Sequence, residues 1–206
     1  MTEQRTRHTG YGIWLIIAGV VGWWAAFQLT IEKIFQLEHP GEATACYVSV
    51  MIQCDKNLGS WQGEVFGFPN PLIGLTGWMA VLVMGVAVLA GVRFPRWFWG
   101  LFGLGVTGAF VFVCWLIGQS LYATNLHVLC PWCMVTWSVT IPTFLATVVH
   151  LFRNGTLTRS ARARERAGRL MAWVPLGTIV GYEIVIAMAQ FADLDLIGEM
   201  VGKLFG

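Results

Sequence analysis

Five runs of apolar residues, each free of charge or nearly so, organise the chain. They are Tyr11 to Ile31, Val65 to Val92, Trp97 to Tyr122, Val128 to Val149 and Leu170 to Ala192. In the second run, Leu72 onward forms the span. In the fifth, Glu183 is the single interruption. A helix rises 1.5 Å per residue, so each run covers a hydrocarbon layer of roughly 30 Å. The pattern predicts an all-α polytopic membrane protein. The segments between the runs are short and polar, and none can bury a core of its own. Three parts follow: a helical bundle over 1–152 with a large loop at 32–68, a basic linker at 153–169, and a fifth span with a short tail at 170–206.

Composition agrees with this pattern. Of 206 residues, 56% are hydrophobic and 12% charged, with eleven tryptophans and thirteen phenylalanines. A soluble domain carries about twice that share of charge. Trp23, Trp24 and Phe27 in the first span read as packing or interface anchors, or as part of a ligand wall. Nothing points to a nucleic-acid partner. The lipid bilayer is the one partner composition implies.

Charge sets the orientation. One set of segments carries Arg5, Arg7, Arg93, Arg96, Arg153, Arg159, Arg162, Arg164, Arg166 and Arg169. The alternate set carries Lys33, Lys56 and Lys203 among the acids Glu32, Glu38, Glu42, Asp55, Glu64, Asp193, Asp195 and Glu199. Basic residues favour the cytoplasmic side, so the N-terminus is expected inside and the 32–68 loop outside. A cleavable leader is the rival for the first run, since Ala43-Thr44-Ala45 resembles a cleavage site. The apolar run is too long for that, and a charged stretch separates it from the tripeptide.

The chemistry gathers on the outer side. Cys130-Pro131-Trp132-Cys133 opens the fourth run. A CxxC pair at a helix N-terminus is reactive, because backbone N–H groups and the helix dipole favour a thiolate. Pro131 suits the first turn, where no N–H is needed. A zinc half-site is the alternative, but zinc takes four soft ligands and only His127 lies near. No metal is expected. Cys46 and Cys54, in the outer loop, are expected to pair in an oxidising compartment. Alone they read as a static staple; beside a CxxC they form a second dithiol able to exchange disulfides. Cys114, inside the third span, reads as an inert buried hydrophobe.

Other residues complete the picture. Trp61, Val65 and Phe66 fit one face of a short helix on the bundle rim, able to cover a lipid-soluble ligand. Pro69 and Pro71 suit a helix start. Gly100, Gly103, Gly105 and Gly108 permit close helix approach, as do Gly177 and Gly181. Pro142 is expected to bend the fourth span. Glu183 is expected to face protein or stay protonated.

Together, Cys46-x7-Cys54, then Phe66-Gly67-Phe68-Pro69-Asn70, then Cys130-Pro131-Trp132-Cys133 resemble the vitamin K epoxide reductase (VKOR) family in its bacterial form, over residues 11–152. The resemblance implies a four-helix bundle around a quinone, menaquinone or ubiquinone, with a fifth helix added. It implies a thiol oxidase of the bacterial cytoplasmic membrane, like DsbB, that oxidises a DsbA-type thioredoxin-fold protein. Cys133 is implied to touch the quinone, Cys130 to exchange with Cys54, and Cys46 to meet the partner. A mobile loop is expected, because Cys54 must reach both neighbours. The chain runs to Gly206 without the thioredoxin-like domain many bacterial members carry, so the partner is expected to be a separate protein. Trp137 stands where some relatives have a quinone-bonding tyrosine, and Gly63 stands near a position some fill with asparagine. Trp61, Phe66, Phe68, Asn70 and Trp137 are the candidate pocket residues, and the group that bonds the quinone oxygen stays open. Two rivals remain: an enzyme that reduces a quinone or its epoxide for the quinone's sake, and a scaffold or metal-binding protein with structural disulfides.

Overall fold

A computed structural model describes residues 2–49 and 51–191. The expectations for 192–206, including Asp193, Asp195, Glu199 and Lys203, lie outside the described residues, as do the side chains of Arg5 and Arg7. The elements are helices α1 (Thr2–Glu38), α2 (Asp55–Gly59), α3 (Pro71–Leu89), α4 (Arg96–Tyr122), α5 (Pro131–Arg153), α6 (Ala161–Leu170) and α7 (Val174–Phe191), with 3₁₀ turns at Trp61–Gly63 and Met171–Trp173. Five helical stretches are long and apolar enough to cross a membrane, and the chain is a multi-pass membrane protein. The spans begin where the sequence places prolines: Pro71 and Pro131 occupy first turns and Pro95 precedes α4. A proline there surrenders no helical hydrogen bond. Gly91 and Gly155 follow α3 and α5 with φ of 79° and 80°, a left-handed turn that suits glycine after a helix.

α1, α3, α4 and α5 form the bundle, and α7 leans chiefly on α5. The tightest seam joins α1 to α3. A Cβ on Gly19 would stand 2.8 Å from the Leu82 backbone nitrogen, and one on Gly85 2.8 Å from the Gly12 carbonyl oxygen. The Trp78 ring covers Gly22. Without these glycines the backbones could not approach, and in lipid such van der Waals contact drives helix association. Leu15 and Ala18 fill the same seam, fully buried.

Several expectations change. Gly103 does meet a neighbouring helix, at Leu151, and a Cβ on Gly181 would stand 3.0 Å from the Ile141 side chain. Gly105 and Gly108 meet nothing within 4 Å; instead they border a cavity, because their missing side chains leave room for it. α1 continues about two turns past Ile31, since Glu32 and Lys33 find protein partners there. The basic linker folds into α6 and packs back on α5. Glu183 is exposed on α7, on a face that no other described helix covers. Cys114 is likewise exposed on α4 rather than buried. Pro142 lies inside an unbroken α5.

The α1–α3 seam gives a direct test. Gly19→Val is expected to destabilise the protein by about 1–3 kcal/mol or more through overpacking, read as a lower thermal midpoint in detergent. Gly118→Val, at a position with open space, is expected to leave the midpoint nearly unchanged.

Candidate active site

The end of α1 holds the outer loop in place. Glu32 and Lys33 are both only 7% exposed. A buried charge must be paired or hydrogen-bonded, and both are. Glu32 Oε2 accepts from Ala45 N at 3.1 Å. Lys33 Nζ donates to the Leu58 carbonyl at 2.7 Å and pairs with Glu64 Oε1 at 2.7 Å. Gln36 Nε2 donates to the Asp55 carbonyl at 3.0 Å, while Asp55 Oδ1 accepts from Thr44 N at 3.2 Å. Residues that read as outer-side charge thus fix both arms of the Cys46/Cys54 loop to the helix.

A second fastening joins the loop to α5. Leu129 N donates to Met51 O at 2.8 Å, and Gln53 N donates to Leu129 O at 3.0 Å. This is an isolated parallel bridge between Ile52 and Leu129. Cys54 follows Gln53 and Cys130 follows Leu129, so the two hydrogen bonds set the cysteines side by side. Cys46 and Cys54 form a disulfide, with Cα atoms 5.9 Å apart. Cys130 Sγ lies 3.3 Å from Cys54 Sγ, and both residues are fully buried. Cys54 therefore touches both neighbours without the large swing expected of a mobile loop. Leu29 and Leu58 pack around these sulfurs. Cys130 caps α5: its Sγ accepts from Cys133 N at 3.3 Å. Cys130 and Cys133 are free thiols.

Cys133 also lines a cavity of about 800 Å³ inside the bundle. Its walls are apolar, from Ala26 and Leu29 on α1, Trp78 on α3, Phe102 and Phe112 on α4 and Trp137 on α5. One part of the lining is polar: Asn57, Gln62, Asn70, Gln119 and Ser120. Gln62, 3% exposed, exchanges amide hydrogen bonds with Asn125 at 3.3 Å and donates to Gln119 Oε1 at 3.3 Å. Asn57 Oδ1 accepts from Ser120 Oγ at 3.3 Å, while Asn57 Nδ2 is buried with no hydrogen-bond partner. An apolar slot with a thiol in its wall and an unused amide donor fits an oily ring that carries carbonyl oxygens.

The candidate pocket residues divide. Cys133, Trp137, Phe66 and Asn70 line the cavity; Trp61 and Phe68 do not. The short helix is α2, not a run through Phe66, and the 3₁₀ turn after it rotates Gln62 inward and Trp61 outward against Trp115. Asn70 has both amide ends engaged, Nδ2 with Gln62 O at 2.7 Å and Oδ1 with Val65 N at 3.2 Å, so it holds the rim. Of α1's aromatics, Trp23 and Phe27 stack on each other while Ala26 and Leu29 face the cavity. Asn57, Gln62, Gln119 and Ser120 were not singled out from the sequence. Polar residues beside the outer ends of apolar runs are the signal that marks them.

Comparison with known proteins agrees with this arrangement. The model of the Vitamin K epoxide reductase family matches residues 13–148, about two thirds of the chain. No curated protein and no solved structure matches the chain. The matched span takes in both cysteine pairs and the cavity between four membrane helices, and the chain therefore belongs to the vitamin K epoxide reductase family of quinone-linked membrane redox enzymes.

Proposed function

We propose that this protein is a thiol oxidase that takes two electrons from a separate DsbA-type thioredoxin-fold protein and delivers them to a quinone, menaquinone or ubiquinone. The observation that carries this reading is the 3.3 Å approach of Cys54 Sγ to Cys130 Sγ, with Cys133 in the cavity wall. The catalytic unit is residues 1–152; 153–169 links it to the fifth span and tail at 170–206. The setting is a bacterial cytoplasmic membrane, with the N-terminus cytoplasmic and the cysteines outside. The charge pattern supports this orientation: the CxxC opens α5 at one end, and Arg153 closes it at the other.

The relay balances at each step. A partner thiolate attacks Cys46, breaks Cys46–Cys54 and leaves Cys54 as a thiolate; the second partner thiol resolves the mixed disulfide. Cys54 attacks Cys130, forms Cys54–Cys130 and releases Cys133 as a thiolate. Cys46 then attacks Cys54, restores the outer disulfide and frees Cys130. The inner pair now holds both electrons as two thiols. Each step is thiolate attack on a disulfide. Cys130 and Cys133 would close their disulfide against a quinone held beside Cys133, which would supply the oxidant by taking up the two electrons and two protons. Asn57 and Trp137 offer N–H donors to its oxygens, and the phenylalanine walls hold its ring out of water. Tyr47, Val48 and Met51, all exposed, give the partner an apolar landing beside Cys46.

Two experiments test the reading. Cys133→Ala is expected to accumulate a Cys54–Cys130 crosslink on non-reducing gels of membranes that contain the partner. A Cys46–Cys130 crosslink would reverse the loop order, and partner oxidation that survives loss of Cys130 or Cys133 would end the proposal. Asn57→Leu is expected to raise the quinone KM by about 5- to 10-fold, the worth of one hydrogen bond of about 1–1.4 kcal/mol, with partner KM unchanged. An unchanged quinone KM would remove Asn57 from the pocket's chemistry.

A further inference from the structure

Thr44 Oγ1 lies 3.3 Å from Cys46 Sγ, and both residues are buried. While Cys46 is in its disulfide the sulfur carries no proton, so the hydroxyl donates to it. The Thr44 side chain also hydrogen-bonds the Glu32 carboxylate. One hydroxyl thus stands between a reactive sulfur and an acid. Glu32 Oε2 takes the Ala45 N–H at 3.1 Å. A carboxylate has roughly four acceptor sites, so that bond leaves it room for a proton. Asp55, on the other side of Thr44, accepts from the Thr44 backbone N–H at 3.2 Å and holds the residue in place. Lys33, next to Glu32, pairs with Glu64.

This arrangement meets a need of the relay. Cys46 must attack Cys54 to restore the outer disulfide, and only a thiolate attacks. A thiol of ordinary pKa, about 8.5, is only about 3% ionised at pH 7. Leu29 and Leu58 pack around the outer sulfurs, so burial makes a bare thiolate costlier still. A base already in reach of the thiol proton removes that obstacle.

We propose that Glu32 accepts the Cys46 proton through the Thr44 hydroxyl as Cys46 attacks Cys54. This rests on the relay proposed above. In the step, the Cys46 S–H bond breaks and its proton passes to Thr44 Oγ1, while the Thr44 hydroxyl proton passes to a Glu32 oxygen. The Cys46–Cys54 bond forms, the Cys54–Cys130 bond breaks, and Cys130 leaves with the electron pair. Thr44 ends as it began, and Glu32 ends as a neutral acid that returns its proton to the water outside. Thr44 touches the reacting sulfur; Glu32 acts through it.

The test mixes the fully oxidised chain, purified in detergent, with the reduced thioredoxin-fold partner. Samples are acid-quenched at intervals, their thiols blocked, and the Cys54–Cys130 crosslink followed on non-reducing gels. Its decay is an intramolecular step, so the partner's own ionisation does not enter. In the native chain the decay rate is expected to be nearly flat between about pH 6.5 and 8, because the base is ionised throughout. E32Q keeps an acceptor for Ala45 N but cannot take a proton. E32Q and T44V are expected to slow the decay about 10- to 30-fold at pH 7, and the rate to climb about tenfold per pH unit until it meets the native rate near pH 8.5. T44S, which restores the hydroxyl, is expected to behave as the native chain. A native rate and profile in E32Q would overturn the proposal and leave the relay standing. Slowing by the same factor at every pH would mark a purely structural role and overturn it as well. No Cys54–Cys130 crosslink in any variant would overturn the relay and this proposal together.

Discussion

Two backbone hydrogen bonds set the working distance in this protein. Leu129 bonds Met51 and Gln53, and Cys130 and Cys54 are the residues that follow Leu129 and Gln53. Disulfide exchange requires sulfur to approach sulfur, and here the gap is 3.3 Å. Without that short pairing, the loop would remain attached to α1 but not to the head of α5. Lys33, Glu32 and Gln36 supply the other half of the constraint by fixing the loop from the α1 side. The sulfurs are thus held between two anchors on different helices, in a site closed to water.

The same geometry separates two solvents. Cys46 lies beside exposed apolar loop residues, where a protein can dock. Cys133 lies in the wall of an apolar cavity, where a lipid-soluble acceptor can sit. Cys54 and Cys130, 3.3 Å apart, lie between them. Small residues make this possible in two ways: glycines of α1 and α3 close the seam on one side, and Gly105 and Gly108 of α4 keep space open on the other.

Much of this was legible in the sequence. Contiguous apolar runs fix helices strongly, so all five spans could be read, and Pro71 and Pro131 marked the starts of the second and fourth. Cys130 as a helix cap followed from CxxC, Pro131 and the start of an apolar run. What could not be read was the facing of individual side chains. Gln62 points in and Trp61 out because of a 3₁₀ turn that no periodicity reports. Glu32 and Lys33 look like solvated charges until their partners, far along the chain, are known. Asn70 looked like a ligand donor, but its amide completes a turn. Gly105 and Gly108 looked like contact residues, and only the helix rotation shows them facing a void. Cys114 was misplaced for the same reason: hydrophobicity locates a span without saying which side meets protein.

The central claim is that electrons enter the inner pair only through Cys54. The most direct measurement reconstitutes the purified chain with quinone in liposomes, adds the reduced thioredoxin-fold partner, and follows quinol formation and partner disulfide together. The account predicts one quinol per partner disulfide, and loss of both when Cys54 is replaced by serine. Quinol formed from the partner at an undiminished rate by the Cys54→Ser protein would contradict it.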